Sequence, residues 1–233
     1  MMNDIESLFN KSSSIIKNDV VVGLSGGPDS ILLLYYIKYL KEHFGFSKLV
    51  FPIIVDHRLR IESYNEALKT KKIATRIGFN SKIIKIKDKY ISGNLQNWAR
   101  IRRRDILYNV AQKHSADIVL GHQYDDQIET IYMRLMKSSG FDGLIGIKEV
   151  TKWKEIKVLR PLLKIKKLEI LNFLKRKKIS YVTDKSNFDN KFERVKSRKA
   201  IKLLKENEFC NIEKKLDKLS TISKRLTKSL NKF

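Results

Sequence analysis

Three features of the 233-residue sequence predict a doubly wound α/β fold, a parallel sheet with helices on both faces. Short apolar runs of even polarity alternate with longer stretches of helical spacing, as in strands buried on both faces. The intervening stretches, roughly 12–20 residues long, suit right-handed crossovers between parallel strands. Polar clusters begin where the first, second and fourth apolar runs end, and ligands of such sheets bind beyond the carboxyl ends of the strands.

Each element follows in order. Val20–Leu24 is β-branched and flat in polarity, hence a buried strand, and Ile31 to about Phe44 is apolar almost all round, as expected of a helix packed under a sheet. Leu49–Val55 is the second strand and stops at Asp56-His57. Ile61–Ile77 has helical spacing, Ser81–Ile86 is a short strand, and Leu95 to about His114 is helical. Asp117–Gly121 is a fourth strand ending at His122, and Asp126–Met136 is the helix after it. Beyond Lys148 the spacing predicts Lys-rich helices at Lys164–Lys178 and Ser197–Glu206, then a Ser/Thr/Lys-rich finish. The predicted division is a catalytic domain over residues 1–147 and a basic helical region over residues 148–233.

Composition narrows the classes. At 42% apolar residues the chain escapes the low hydrophobicity that disorder requires. Its longest apolar run is the seven residues Ile31–Ile37, far short of the about 20 that span a membrane. The opening Met1-Met2-Asn3-Asp4 has no basic n-region before an apolar stretch, so no leader is expected, and the single Cys210 fits a reducing compartment. The formal charge is +24, carried by 22 basic and 15 acidic side chains over residues 1–146 against 27 and 10 over residues 147–233. A polyanion would feel that field and release counterions on binding, which makes nucleic acid the first partner to consider.

Ser25-Gly26-Gly27-Pro28-Asp29-Ser30 joins the first strand to the first helix. Adjacent glycines allow a turn with φ > 0 and let an anion approach the backbone closely. Successive N–H groups form a nest, the helix N-terminus adds its positive pole, and a phosphate is held by main-chain donors. Ser25 and Ser30 add hydroxyls, while Asp29 either serves a magnesium ion or caps the helix. The Gly-x-x-x-x-Gly-Lys-Ser/Thr pattern of the common phosphate loop is absent. Asp125, Asp126 and Glu129 crowd three carboxylates into five residues of a basic chain. Asp125 and Glu129 are four apart and share a helix face. Helix capping accounts for one of the two aspartates. His57 and His122 both stand just past strand ends.

The Ser-Gly-Gly-x-Asp-Ser string resembles the pyrophosphatase loop of the N-type ATP pyrophosphatases. Further segments are similar to the tRNA(Ile)-lysidine synthetases: Val55-Asp56-His57-Arg58-Leu59-Arg60 with Glu66-Ala67; Ala99-Arg100 with Arg103; Gly121-His122-Gln123-Tyr124-Asp125-Asp126-Gln127-Ile128-Glu129-Thr130 with Arg134; Ser139-Gly140-Phe141-Asp142-Gly143; Arg160-Pro161-Leu162-Leu163; and Asp184, Ser186 and Asn187 with Arg194 and Arg198. The likeness runs in order from about residue 18 to residue 200. Gln123 stands where the family often has a second histidine, Lys185 where it usually has proline, and Lys137-Ser138 where Arg-Gly is common.

The resemblance implies a Rossmann-like sheet of the adenine nucleotide alpha hydrolase type, followed by a small basic helical C-terminal region. It implies that the wobble cytidine of a CAU-anticodon isoleucine tRNA is adenylated from ATP and then joined at C2 to the ε-amine of free L-lysine, giving lysidine, AMP and pyrophosphate. ATP would meet Ser25, Gly26, Gly27, Pro28, Asp29, Ser30, Asp56 and His57, with Mg2+ on Asp29. Catalysis would fall to Asp29, Arg100, Asp125 and Glu129, and lysine or tRNA binding to Asp126, Arg103, Arg134, Arg194 and Arg198. A cytoplasmic protein without membrane contact is implied, compatible with a homodimer. Two alternatives stay open: an RNA cytidine thiolase on the same fold, disfavoured by the single cysteine, and a basic RNA-binding protein with a relic ATP site.

Overall fold

The structure, a computed structural model, describes residues 9, 15–59, 61–88, 90–183, 193–206 and 211–230. Those residues contribute to two compact units, one drawn from Met1–His122 and Glu149–Thr183, the other from Gln123–Lys148 and Asp184–Phe233.

The first unit is built on the apolar runs. β1 (Val20–Gly23), β2 (Val50–Asp56), β3 (Lys82–Lys85) and β4 (Asp117–Val119) are joined by β5 (Val150–Trp153) and β6 (Ile156–Leu159) in a sheet of order β3-β2-β1-β4-β6-β5. Neighbours pair in parallel except β5 with β6. Val20, Val21 and Val22 are wholly buried because helices cover both faces at the centre of the sheet. Between the strands run α1 (Pro28–His43), α2 (Ser63–Ile77) and α3 (Leu95–Lys113), and α6 (Lys167–Arg176) follows β6. α1 starts earlier than the apolar run because Pro28 occupies its first turn, where proline loses no hydrogen bond. α2 stops at Gly78, whose φ of 110° closes the helix. α3 starts at Asn94, whose side chain accepts from Asn97 N–H.

The second unit is helical, with α4 (Tyr124–Met136), the single turn α5 (Phe141–Leu144), α7 (Glu193–Glu206) and α8 (Ile212–Leu230). Ile128, Ile131, Ile201 and Leu216 form its described core.

Two elements depart from expectation. The β5–β6 hairpin opens a region expected to be helical. α4 starts at Tyr124 because Gln123, not an aspartate, occupies its N-cap. The Ser/Thr/Lys-rich finish forms the helix α8, within the stretch expected to be helical. The mixed α/β sheet itself is as expected.

Candidate functional site

Within the first unit, strand order reverses about β1: its successor β2 lies on one side and β4 on the other. A crevice at such a switch point is where doubly wound sheets bind ligands. Leu24 N–H still donates to Ile53 O at 2.9 Å, so the ladder ends immediately before Ser25. The chain then turns through Gly26 at φ 83°. A Cβ added at Gly26 would lie 2.1 Å from Thr70 Oγ1, so glycine is required both by the turn and by α2 behind it. Thr70 is held in place by donating to Glu66 O at 2.8 Å.

Ser30 ties the turn together. Its hydroxyl donates to Gly27 O at 2.9 Å and accepts from Ser25 N–H at 3.2 Å. The amides of Asp29 and Ser30 belong to the first turn of α1, where an α-helix supplies no internal acceptor. On the other side of the turn, a Cβ on Gly121 would lie 2.9 Å from Asp29 O, so β4 ends with its backbone against the start of α1. Gly26 O is covered by Val182 N–H at 2.8 Å.

The Asp29 carboxylate receives a cation: Lys167 Nζ donates to Oδ1 at 2.7 Å and to Oδ2 at 2.8 Å. An ammonium group there stands in for the metal the sequence assigns to Asp29, so the oxygens fit a hard cation. No cluster of three metal-ligating side chains occurs among the described residues. Magnesium is usually bound through one or two carboxylates together with substrate phosphates and water.

Asp56, at the end of β2, is buried, and its Oδ1 accepts from Ser63 Oγ at 2.7 Å and from Arg58 N–H at 3.0 Å. It thereby holds the turn in which Arg58 adopts a φ of 54°, and His57 is half-buried beside it. On α3, Arg100 is exposed and Arg103 half-buried. Arg160, one residue past β6, is buried and donates from Nη1 to Thr151 Oγ1 at 2.9 Å. Burial, and then the neighbouring Arg100 cation, lowers the Arg160 guanidinium below its ordinary value. Two arginines thus approach each other at the carboxyl edge of the sheet, where negative charge would relieve both.

The second unit holds the three carboxylates, and each is placed differently. Asp126 is turned back onto Gln123 N–H at 3.1 Å while the Gln123 side chain accepts from Asp125 N–H, a reciprocal cap of α4. Glu129 is buried and accepts from Arg198 Nε at 2.5 Å and Nη2 at 3.3 Å. Asp125 is the least buried of the three. Arg134 donates to Gly143 O at 2.6 Å and Gly146 O at 3.0 Å, which secures the Gly140–Ile147 segment. Arg194 lies on α7 with its side chain outside the described residues, as do Asp184, Lys185, Ser186, Asn187, Arg60 and Cys210 altogether.

Burial, followed by the Asp217, Glu213 and Asp125 carboxylates, pushes the Tyr124 hydroxyl up to about 12. The fold therefore favours the neutral phenol over its unfolded counterpart. That contribution is complete below 10.0, the ordinary value, and is lost as pH rises through about 12. Tyr124→Phe is expected to flatten the alkaline fall in melting temperature across that window, measured against the unsubstituted chain.

Sequence reasoning missed Lys167, Thr70 and the role of Arg160. Lys167 is one lysine among many, and its contact with Asp29 spans 138 positions. Arg160 stood in a recognised segment without an assigned task. Thr70 meets Gly26 only because α2 packs behind the turn, 44 positions away in sequence.

A family model described as the PP-loop domain matches residues 1–204. The tRNA(Ile)-lysidine synthase of Mycoplasma mycoides subsp. mycoides SC is 34% identical over 215 residues, covering 91% of this chain and 51% of the relative. That of Clostridioides difficile is 31% identical over 229 residues, covering 94% and 48%, and that of Bacillus subtilis is 31% identical over 228 residues, covering 94% and 47%. The chain spans about half the length of the curated relatives it matches. Among solved structures, a U34-tRNA thiolase from Methanococcus maripaludis superposes with a TM-score of 0.75 at 21% identity, over 93% of this chain and 78% of that one, a likeness of fold.

Proposed function

Because this chain belongs to the PP-loop domain family, we propose that it uses ATP to modify a tRNA, ligating lysine to C2 of the wobble cytidine of the CAU-anticodon isoleucine tRNA. The observation that carries the reading is the turn from Ser25 to Ser30, with Gly26 at φ 83° and the open first turn of α1 beyond it. The names and identities of the relatives support the tRNA and lysine parts of the assignment.

In this reading the turn holds the phosphates of ATP through main-chain amides and the Ser25 and Ser30 hydroxyls. Arg100 and Arg160 neutralise charge that develops as the cytosine C2 oxygen attacks the α-phosphorus and pyrophosphate departs. Magnesium, held by Asp29 and phosphate oxygens, would supply further neutralisation. The ε-amine of lysine then attacks C2, AMP leaves with the former cytosine oxygen, and a carboxylate takes the proton the amine gives up. Asp125 is assigned that proton, as the least buried of the three clustered carboxylates. Arg103 and the lysine-rich helices α7 and α8 fix the RNA through its phosphates. A tRNA substrate accords with the expected cytoplasmic location.

The test mixes the protein with ATP, Mg2+, labelled lysine and the CAU isoleucine tRNA. Label is expected to enter the RNA. Asp125→Asn is expected to lower the rate on the order of 10²–10⁴-fold, the usual contribution of a positioned general base, while tRNA binding is retained. If no label enters while pyrophosphate forms with another acceptor, the acceptor assignment is wrong. The runner-up, cytidine thiolation, predicts sulfur rather than lysine in the product.

A further inference from the structure

Lys167 occupies a position that helix physics disfavours. It is the first residue of α6, where the positive end of the helix dipole repels a cation. Asp29 compensates it, with both carboxylate oxygens within 2.8 Å of the ammonium group. The pair is nonetheless wet: the side chains are 33% and 27% exposed. Water screens such a pair, which makes it a weak clamp and an exchangeable one.

Asp29 in turn sits in the first turn of α1, at the end that would receive phosphate. A bare carboxylate there repels a polyphosphate; the ammonium group cancels that repulsion. On the reading that the turn binds ATP, we propose that Lys167 is a polyphosphate-binding residue stored on Asp29. It leaves Asp29 when a nucleotide-borne cation replaces it there, and it then donates to a phosphate oxygen. The exchange keeps both charges matched at each stage and breaks no covalent bond. It also accounts for a lysine, rather than an acidic or neutral residue, at the start of α6.

The test is a cycle of Asp29→Asn and Lys167→Met, read by calorimetric titration with two probes: inorganic pyrophosphate without metal, and Mg2+ with ATP. Without metal, Lys167→Met should weaken pyrophosphate binding about tenfold, because an ammonium donor is lost and a carboxylate exposed. Asp29→Asn should tighten it about three- to tenfold, because repulsion disappears and Lys167 is released. The double variant should fall between the two. With Mg2+ and ATP, Asp29→Asn should weaken binding instead.

Opposite signs for the two single variants are what a simple bridge between α6 and the turn cannot give. If both weaken metal-free pyrophosphate alike, or neither changes it, the proposal for Lys167 is overturned. Lys167→Arg, which keeps the charge, should bind pyrophosphate within about threefold of the unsubstituted chain, and a tenfold loss there also counts against it. Failure of the unsubstituted chain to bind Mg2+ with ATP would overturn the nucleotide reading itself. Lys167 falls alone if that chain binds but the opposite signs do not appear.

Discussion

Gly26→Ala is expected to reduce binding of a non-hydrolysable ATP analogue by on the order of 100-fold and to lower the melting temperature by several degrees. Two separate costs converge there. The backbone stands at φ 83°, a region that an L side chain enters only at a cost of about 1–2 kcal/mol. The new methyl group would also lie 2.1 Å from Thr70 Oγ1. Thr70 cannot yield easily, since it is buried, β-branched, and bonded to Glu66 O at 2.8 Å. The turn must therefore move away from α2, and its amides with it. Since several amides must converge on one phosphate, a shift of an ångström costs most of the binding energy. Pairing the substitution with Thr70→Ala separates the contributions: the hydroxyl clash disappears, while the conformational strain stays. The double variant should regain part of the melting temperature and little of the nucleotide affinity. Wild-type affinity in Gly26→Ala would show that this glycine does not position the phosphate site.

The same turn shows which parts of the molecule can be read from sequence. β1, β2 and β4 are flanked by other strands and covered on both faces, so their sequences are continuous apolar runs, and the Gly-Gly pair after β1 marks a sharp exit. Those signals are local. The β5–β6 hairpin has none of comparable strength. Its strands are four residues each, and the exposed Lys152 and Lys157 blend into a lysine-rich stretch. α8 is different: it lies in the stretch expected to be basic and helical, and Leu216, Leu219 and Leu226 keep helical spacing. Not legible there is the role of its hydroxyls, since Ser220 and Ser223 are buried beside Leu216 and Ser220 donates to Ile145 O at 2.7 Å. At the site, the residue types were legible and their partners were not. Nothing near Glu129 in sequence points to Arg198, 69 positions away, and nothing near Asp29 points to Lys167. Composition indicates how many lysines a chain has, but only the fold selects the one that meets a particular carboxylate.

Arg198→Ala is expected to destabilise the second unit by about 2–4 kcal/mol, somewhat below the 3–5 kcal/mol typical of breaking a fully buried pair because half of this arginine is in water. Glu129 is 3% exposed on α4, and the guanidinium reaches it from α7 through two contacts. Removing the arginine keeps the cost of desolvating the carboxylate and discards its compensation. Glu129→Gln should be milder, since the arginine left behind can turn to solvent. In the double variant the carboxylate charge is gone as well, so most of the loss should return, with a coupling of about 1.5–3 kcal/mol. Lys137→Ala makes the control: its pair with Glu193 links the C-cap of α4 to α7, but both side chains are more than 60% exposed, and the expected change is under about 1 kcal/mol. Urea titration followed by helical circular dichroism measures all four. The cycle also divides the two roles available to Arg198. If it contacts RNA directly, the stabilised double variant will still bind tRNA weakly, and its affinity will be less steeply salt-dependent by about one phosphate contact. If its work is to hold Glu129 and the start of α7 in place, tRNA affinity will recover together with stability. The bidentate geometry and the buried carboxylate favour the second outcome, because a guanidinium engaged through two of its nitrogens by Glu129 has limited capacity to grip a phosphate as well.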